Sequence, residues 1–129
     1  MKKYENFCNA FQNLKDIYDY HEPYTNVEMS GLVALYEICF EQAWKAMKEI
    51  LEQQGFAEER TGSPKIVLKT AFAAGMIGDE DLWMAALSAR NNVAHSYNKE
   101  IALSIIEQAK DKFYKMFEDL KKEIDTKWI

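Results

Sequence analysis

Apolar residues recur every three or four positions along most of this chain, and no stretch alternates as a β-strand does. The longest such stripe runs through residues 32–51 and carries large side chains at nearly every turn. Its members are Leu32, Leu35, Tyr36, Cys39, Phe40, Ala43, Trp44, Met47 and Leu51. Residues at this spacing share one face of an α-helix, and that face has to be buried. The pattern therefore predicts an all-α protein made of amphipathic helices.

Start and stop signals define the first two predicted helices. The first is predicted over Lys3–Tyr20 and ends before Pro23, because the residue preceding a proline avoids helical dihedral angles. The second starts near Thr25, since Thr25 followed by Glu28 fits a capping box. Gly55 is a good stop for this helix, because glycine readily adopts the left-handed conformation that ends a helix.

Each later helix begins at a polar residue that can cap it. These residues are Ser63, Asp79 and Asn98. Residues 55–63 are predicted as a loop, and the third helix runs from Pro64 to about Ala74. The last helix is predicted to continue to about Asp125. Five helices with short connections in a single domain of 129 residues predict an antiparallel four- to five-helix up-and-down bundle.

Charge and hydropathy exclude several classes of protein. The net charge is -5, whereas a general nucleic-acid binder is usually basic because its affinity comes largely from phosphate contacts. No apolar run approaches the roughly 20 residues of a membrane-spanning helix. The amino terminus also lacks the apolar core of a signal peptide. We therefore expect a soluble, cytoplasmic protein with no membrane partner.

The residues that commonly bind metals are few. The sequence has two histidines and no carboxylate–histidine pair at helical metal spacing, so we predict no metal site. Cys8 and Cys39 each fall in an apolar stripe and match no zinc signature. They are interpreted as small buried hydrophobic residues rather than as a disulfide or a reactive pair.

One short run carries side chains suited to chemistry: Arg90, Asn91, His95 and Tyr97. An arginine guanidinium is a permanently charged fork that matches the geometry of phosphate. A histidine can take and give a proton near neutral pH. Together these side chains are suited to binding a phosphate and moving a proton.

Helix geometry limits how these residues could meet. Positions five apart differ by about 140° around an α-helix, so Arg90 and His95 do not share a face of one straight helix. Asn91 and His95 are four apart and would share a face. Either Asn91 orients the imidazole while Arg90 reaches around the helix, or the arginine of one subunit meets the histidine of another in a two-fold dimer.

The spacing Arg90-x4-His95-x-Tyr97 resembles the signature of the HEPN proteins, and Asn91 matches the polar residue usual after the arginine. The likeness extends to other segments, namely Phe40–Lys45, Ser63–Lys65 and Asp81–Trp83. These resemble the subfamily encoded beside minimal nucleotidyltransferases, first called nucleotidyltransferase substrate-binding proteins and later HepT-like toxins. The resemblance covers about residues 5–120.

The resemblance implies a HEPN-like homodimer that cleaves RNA without a cofactor, with Arg90, Asn91 and His95 as catalytic residues. In the implied mechanism the RNA supplies its own nucleophile, the 2′-hydroxyl, a histidine base and an arginine that holds the phosphate suffice without a metal, and the strand is cut through a cyclic phosphate. The resemblance also implies that a cognate minimal nucleotidyltransferase silences the toxin by transferring AMP to Tyr97. The chain itself has no glycine-rich phosphate loop and is not expected to be that transferase. Three alternatives stay open: a non-catalytic substrate-binding subunit of the nucleotidyltransferase, a simple dimer module, and Tyr97 as an ordinary surface or interface aromatic residue.

Overall fold

The computed structural model describes residues 2–56 and 62–129, which form a bundle of five helices and contain no strand. The helices are α1 (Lys2–Leu14), α2 (Asn26–Gln53), α3 (Pro64–Ala73), α4 (Glu80–Asn91) and α5 (Lys99–Gln108). α5 continues through a π-turn (Ala109–Phe113) into Tyr114–Glu123 and a final π-turn (Ile124–Trp128). The prediction of an all-α helical bundle is confirmed. No helix in these two ranges is both long enough and apolar enough to cross a membrane.

Side-chain hydrogen bonds confirm three of the predicted caps, Thr25, Asp79 and Asn98, whereas the Ser63 side chain makes no capping hydrogen bond at the start of α3. The Glu28 backbone N–H donates to Thr25 Oγ1 over 3.1 Å, and the Thr25 N–H donates to Glu28 Oε1 over 2.8 Å. These two bonds form the complete capping box at the start of α2. Asp79 Oδ1 accepts from the Leu82 N–H at the start of α4, and Asn98 caps α5 in the same way. Side-chain oxygens thus satisfy backbone donors that have no partner within the helix.

Two glycines end α2 and α3 in the left-handed conformation. Gly55 has a φ of 80° and Gly75 a φ of 82°, values that L-residues with a side chain rarely adopt. The N–H of the following residue, Phe56 or Met76, reaches back 2.9 Å to a carbonyl oxygen five positions earlier, closing a Schellman motif. Residues 57–61 of the predicted loop at 55–63 lie outside the described residues.

The core is centred on α2, which contacts α1, α3, α4 and α5. Phe117, which lies in the continuation of α5 over Tyr114–Glu123, is fully buried and packs near aromatic rings from three other helices. Its ring centroid lies 6.2 Å from Phe7 of α1, 6.2 Å from Tyr36 of α2 and 5.6 Å from Trp83 of α4. One aromatic cluster therefore fixes α4 against the rest of the bundle.

The first and last helices differ from their predicted forms. The prediction of a single helix over Lys3–Tyr20 is only partly right, because α1 ends at Leu14 and a 3₁₀ turn follows over Lys15–Asp19. This tighter winding is common where a helix ends. Within this 3₁₀ turn the Tyr18 hydroxyl donates a 2.7 Å hydrogen bond to the carbonyl oxygen of Lys110, which lies in the π-turn after α5. The last helix runs beyond the predicted end near Asp125, through the π-turn at its end.

Candidate functional site

The four predicted site residues lie together in the connection between α4 and α5. Arg90 and Asn91 form the last turn of α4, and a 3₁₀ turn at Asn92–His95 follows directly. The His95 and Tyr97 rings face each other edge-on, with centroids 6.5 Å apart. Both side chains are exposed, and Tyr97 keeps 87% of its surface accessible. The connection therefore presents an imidazole and a phenol to solvent beside a half-buried guanidinium.

Arg90 is held by a small hydrogen-bond network that includes α2. Its Nε donates to Glu41 Oε1 over 2.5 Å, and its Nη1 donates to Asn91 Oδ1 over 3.0 Å. The other carboxylate oxygen, Glu41 Oε2, accepts from the Trp44 indole N–H over 3.1 Å. Arginine has five N–H donors, so among the described residues three have no protein acceptor once these two bonds are made. Such planar donors match a phosphate group.

An open cleft borders this network. It has a volume of about 400 Å³ and is lined by Glu37, Glu41, Arg90, Asn91, Val93 and Ala94. The Arg90 side chain is 28% exposed and that of Glu41 is 24% exposed. The two glutamates place negative charge beside the arginine, so an anion entering the cleft meets one guanidinium flanked by carboxylates.

A buried tyrosine anchors α4 one turn before Arg90. The Tyr36 hydroxyl donates to the Ala86 carbonyl oxygen, which in a regular α-helix is also the acceptor of the Arg90 N–H. Tyr36 is fully buried, and burial raises the pKa of its phenol well above the usual value. The phenol thus keeps its proton and acts as a donor, tying the last turn of α4 to α2.

Of the two arrangements that helix geometry left open, the one in which Asn91 orients the His95 imidazole is not seen among the described residues. α4 ends at Asn91, and the following residues wind as a 3₁₀ turn with about three residues per turn. Positions four apart then differ by about 120° instead of the roughly 40° of an α-helix. Asn91 Oδ1 instead accepts from Arg90. Across the described chain, no hydrogen bond joins the His95 ring to Arg90 or Asn91, and a site shared between two subunits stays a prediction.

Sequence reasoning missed Glu41 as the partner of Arg90. The apolar stripe of α2 placed Trp44 on the buried face, and no sequence feature assigned a partner to Glu41. The two side chains are three positions apart, a spacing that places them on neighbouring turns of one helix face. Nothing local connects them to Arg90, which lies 49 positions after Glu41. Only the resemblance of the Phe40–Lys45 segment drew attention to this part of α2.

A second cleft lies beside Tyr97, between the starts of α2 and α5. It has a volume of about 260 Å³ and is lined by Asn26, Met29, Ser30, Val33, Ser96, Tyr97, Lys99 and Ala102. Its lining combines a thioether and an aliphatic side chain with amide, hydroxyl and ammonium groups. Tyr97 therefore stands at the edge of a cleft with mixed polar and apolar walls.

The described ranges hold no cluster of three His, Cys, Asp or Glu side chains arranged to bind a metal. Cys39 is buried and Cys8 is partly buried, and both thiols are free. Burial raises the pKa of the Cys39 thiol, which keeps it protonated and a weak nucleophile. The interpretation of the cysteines as small apolar side chains is confirmed for Cys39 and holds in part for Cys8.

Comparison with known sequences places the chain among proteins linked to nucleotidyltransferases. The sequence model of a family described as "Nucleotidyltransferase substrate binding protein like" matches residues 2–126. A Haemophilus influenzae protein named probable ribonuclease HepT is 31% identical over 85 residues, which are 64% of this chain. The match spans 58% of that relative's own length.

Two solved structures share the fold over nearly the whole chain. A crystal structure from Thermus thermophilus is 25% identical, with a TM-score of 0.81, and the match covers 92% of this chain and 98% of that one. A Haemophilus influenzae structure is 23% identical, with a TM-score of 0.78, and the match covers 93% of this chain and 97% of that one. The latter is described as revealing the fold of a substrate binding domain of a nucleotidyltransferase.

Proposed function

Because the chain belongs to the nucleotidyltransferase substrate binding protein like family, we propose that it is the HEPN-type toxin of a pair with a minimal nucleotidyltransferase. In this proposal the protein is a cytoplasmic, metal-independent endoribonuclease. The observation that carries the proposal is the end of α4, where Arg90 borders an open cleft and is followed by an exposed His95. Within residues 2–56 and 62–129, three N–H donors of Arg90 have no acceptor. The name of the matching Haemophilus influenzae protein, probable ribonuclease HepT, also supports it.

The proposed reaction needs only groups of the protein and of the RNA. His95 takes the proton of a ribose 2′-hydroxyl, and the 2′-oxygen attacks the adjacent phosphorus. The bond from phosphorus to the 5′-oxygen breaks, giving a 2′,3′-cyclic phosphate and a 5′-hydroxyl that takes up a proton. Arg90 binds the non-bridging oxygens, whose negative charge grows in the transition state. Asn91 keeps the guanidinium in place by accepting one of its hydrogen bonds.

A homodimer fits this proposal better than a lone chain. His95 and Arg90 are not hydrogen-bonded to each other within the described chain, and both border open surface. A two-fold axis near the connection between α4 and α5 would bring two Arg90 guanidiniums together and create a local positive site on a protein of net charge -5. The acidic surface elsewhere would then disfavour unspecific binding of RNA.

The purified protein is expected to cut single-stranded RNA in the presence of EDTA and to leave cyclic-phosphate ends. Arg90→Ala should lower the cleavage rate about 10²–10³-fold, because it removes a preorganised stabiliser of the transition-state charge. Lys69→Ala, which removes an exposed cation from α3, is the control and should cleave like wild type. Cleavage by neither wild type nor control in EDTA, or full activity of Arg90→Ala, would reject the proposal.

Tyr97 is the proposed target of silencing. Its phenolic oxygen attacks the α-phosphorus of ATP on the partner enzyme, forming a phosphodiester to AMP and releasing pyrophosphate. With the cognate nucleotidyltransferase and ATP, we expect wild type to gain the mass of one or more adenylyl groups and to stop cutting RNA. Tyr97→Phe should gain no mass and stay active, whereas Tyr20→Phe, at another exposed tyrosine, should behave like wild type. Inhibition of Tyr97→Phe by the partner and ATP would contradict this role.

The alternative is a non-catalytic subunit that binds the substrate of a nucleotidyltransferase. The carboxylates of Glu37 and Glu41 beside Arg90 favour it, since they repel an RNA phosphate. The family description and the neighbouring Haemophilus influenzae structure also name substrate binding. In that case the isolated chain leaves RNA intact, and the pair transfers nucleotides to a third molecule.

A further inference from the structure

We infer that Glu41 is a positioning residue for Arg90 and that Trp44 fixes Glu41 in turn. This inference rests on the proposed role of Arg90 in RNA cleavage and adds two residues of α2 to that site. Both oxygens of the Glu41 carboxylate are engaged, Oε1 by the Arg90 Nε and Oε2 by the Trp44 indole N–H. The carboxylate therefore has one orientation in which both bonds are made.

The support for this arrangement is rigid. Trp44 is only 9% exposed, so its ring is packed in the core and its N–H points in a fixed direction. Glu41 and Trp44 belong to a helix whose apolar face is buried along nearly its whole length. The Tyr36 hydroxyl holds the turn of α4 that precedes Arg90 to the same helix. α2 thus fixes both the backbone and the side chain of Arg90.

The orientation of the guanidinium follows from which donors are used. Glu41 accepts from Nε and Asn91 accepts from Nη1, so within the part of the chain that the structure describes three donors on Nη1 and Nη2 have no acceptor. An arginine held this way needs no reorganisation when charge develops on a phosphate, which is how preorganised donors lower a barrier. The same carboxylate repels the phosphate in the ground state. Glu41 is therefore expected to raise kcat while weakening the binding of RNA.

Glu37 provides a matched comparison. It lies one turn before Glu41 on α2 and lines the same cleft, but among the described residues it forms no hydrogen bond to Arg90. Replacing either residue with glutamine removes one negative charge from the cleft. Only Glu41→Gln also weakens the contact with the Arg90 side chain. Comparing the two variants therefore separates the effect of the lost charge from the effect of the lost positioning.

The experiment measures kcat and KM for RNA cleavage by four single variants, Arg90→Ala among them, and one double variant. Glu41→Gln should lower kcat about tenfold or more without raising KM, and Trp44→Phe should lower kcat by a smaller factor. Glu37→Gln should lower KM and keep kcat. In an Arg90→Ala background, Glu41→Gln should have no further effect on kcat, since the group it positions is gone. An unchanged kcat for Glu41→Gln, or a rise in KM together with a lower melting temperature, overturns the inference.

A second measurement does not depend on catalysis. The chain has two arginines, Arg60 and Arg90, so the Nε–Hε region of an NMR spectrum holds two side-chain signals, and Arg90→Ala assigns them. Glu41→Gln should shift the Arg90 signal and speed its exchange with water, while Glu37→Gln should not. If wild type cuts no RNA, the proposed function fails but this signal still decides the Glu41 contact. An Arg90 signal that Glu41→Gln leaves unmoved overturns the inference in either case.

Discussion

His95→Ala is expected to lower the rate of RNA cleavage about 10²–10⁴-fold, the usual contribution of a general acid–base group. Histidine is the side chain most often used for general acid–base catalysis, and His95 is the histidine of the α4–α5 connection. Its side chain is exposed and makes no hydrogen bond within the described residues, so its removal should change the melting temperature little. Expression of wild type alone should slow the growth of a bacterial host, and the variant should restore growth.

The other histidine of the chain is the natural control for this prediction. His21 is exposed in the connection before α2, on a different element from the site. His21→Ala should cut RNA and slow growth like wild type at equal expression. Equal toxicity of His95→Ala and His21→Ala would remove His95 from the mechanism, whereas harmless wild type would favour the substrate-binding alternative.

Phe117→Ala is expected to destabilise the protein by about 3–5 kcal/mol, the usual cost of deleting a buried phenyl ring. Phe117 is fully buried and its ring meets rings from α1, α2 and α4. The cavity would therefore open where four helices meet, and neighbouring rings could fill it only in part. For a chain of this size we expect the melting temperature to fall by about 10–20 °C.

Phe72→Ala is the control for Phe117→Ala, because it also removes a phenyl ring but does so outside the buried core. Phe72 lies on α3 and is 45% exposed, so its removal should change the free energy of unfolding by no more than about 0.5 kcal/mol. Both variants should be unfolded in guanidinium chloride at one protein concentration, since association would also stabilise the folded state. A change for Phe117→Ala as small as that for Phe72→Ala would place the centre of the core elsewhere.

The helix limits that depend on nearby residues could be predicted from the sequence. Thr25 and Glu28 form their capping box within one turn, and Gly55 adopts its positive φ because of its own lack of a side chain. The winding of the helices depends instead on distant partners. Lys110, in the π-turn of the last helix, donates to the Tyr20 carbonyl oxygen 90 positions away. No local pattern announces such a contact.

The candidate site could likewise be predicted only in part from the sequence. The short run from Arg90 to Tyr97 was visible because its four side chains have chemical uses and a recognisable spacing. One of the two arrangements left open, Asn91 orienting His95, required α4 to continue through residue 95, whereas α4 ends at Asn91. Glu41 escaped notice because its contact with Arg90 exists only once α2 and α4 have packed together.

The connection between α4 and α5 is fixed at both ends by groups outside the reactive side chains. Tyr36 binds Ala86 before it, and Asn98 caps the helix after it. The exposed His95 and Tyr97 in between contribute nothing to the buried core. Substitutions at His95 and Tyr97 should therefore be nearly neutral for folding. Under the proposed function, a copy that has lost catalysis would still fold and compete with the active copy for the proposed partner.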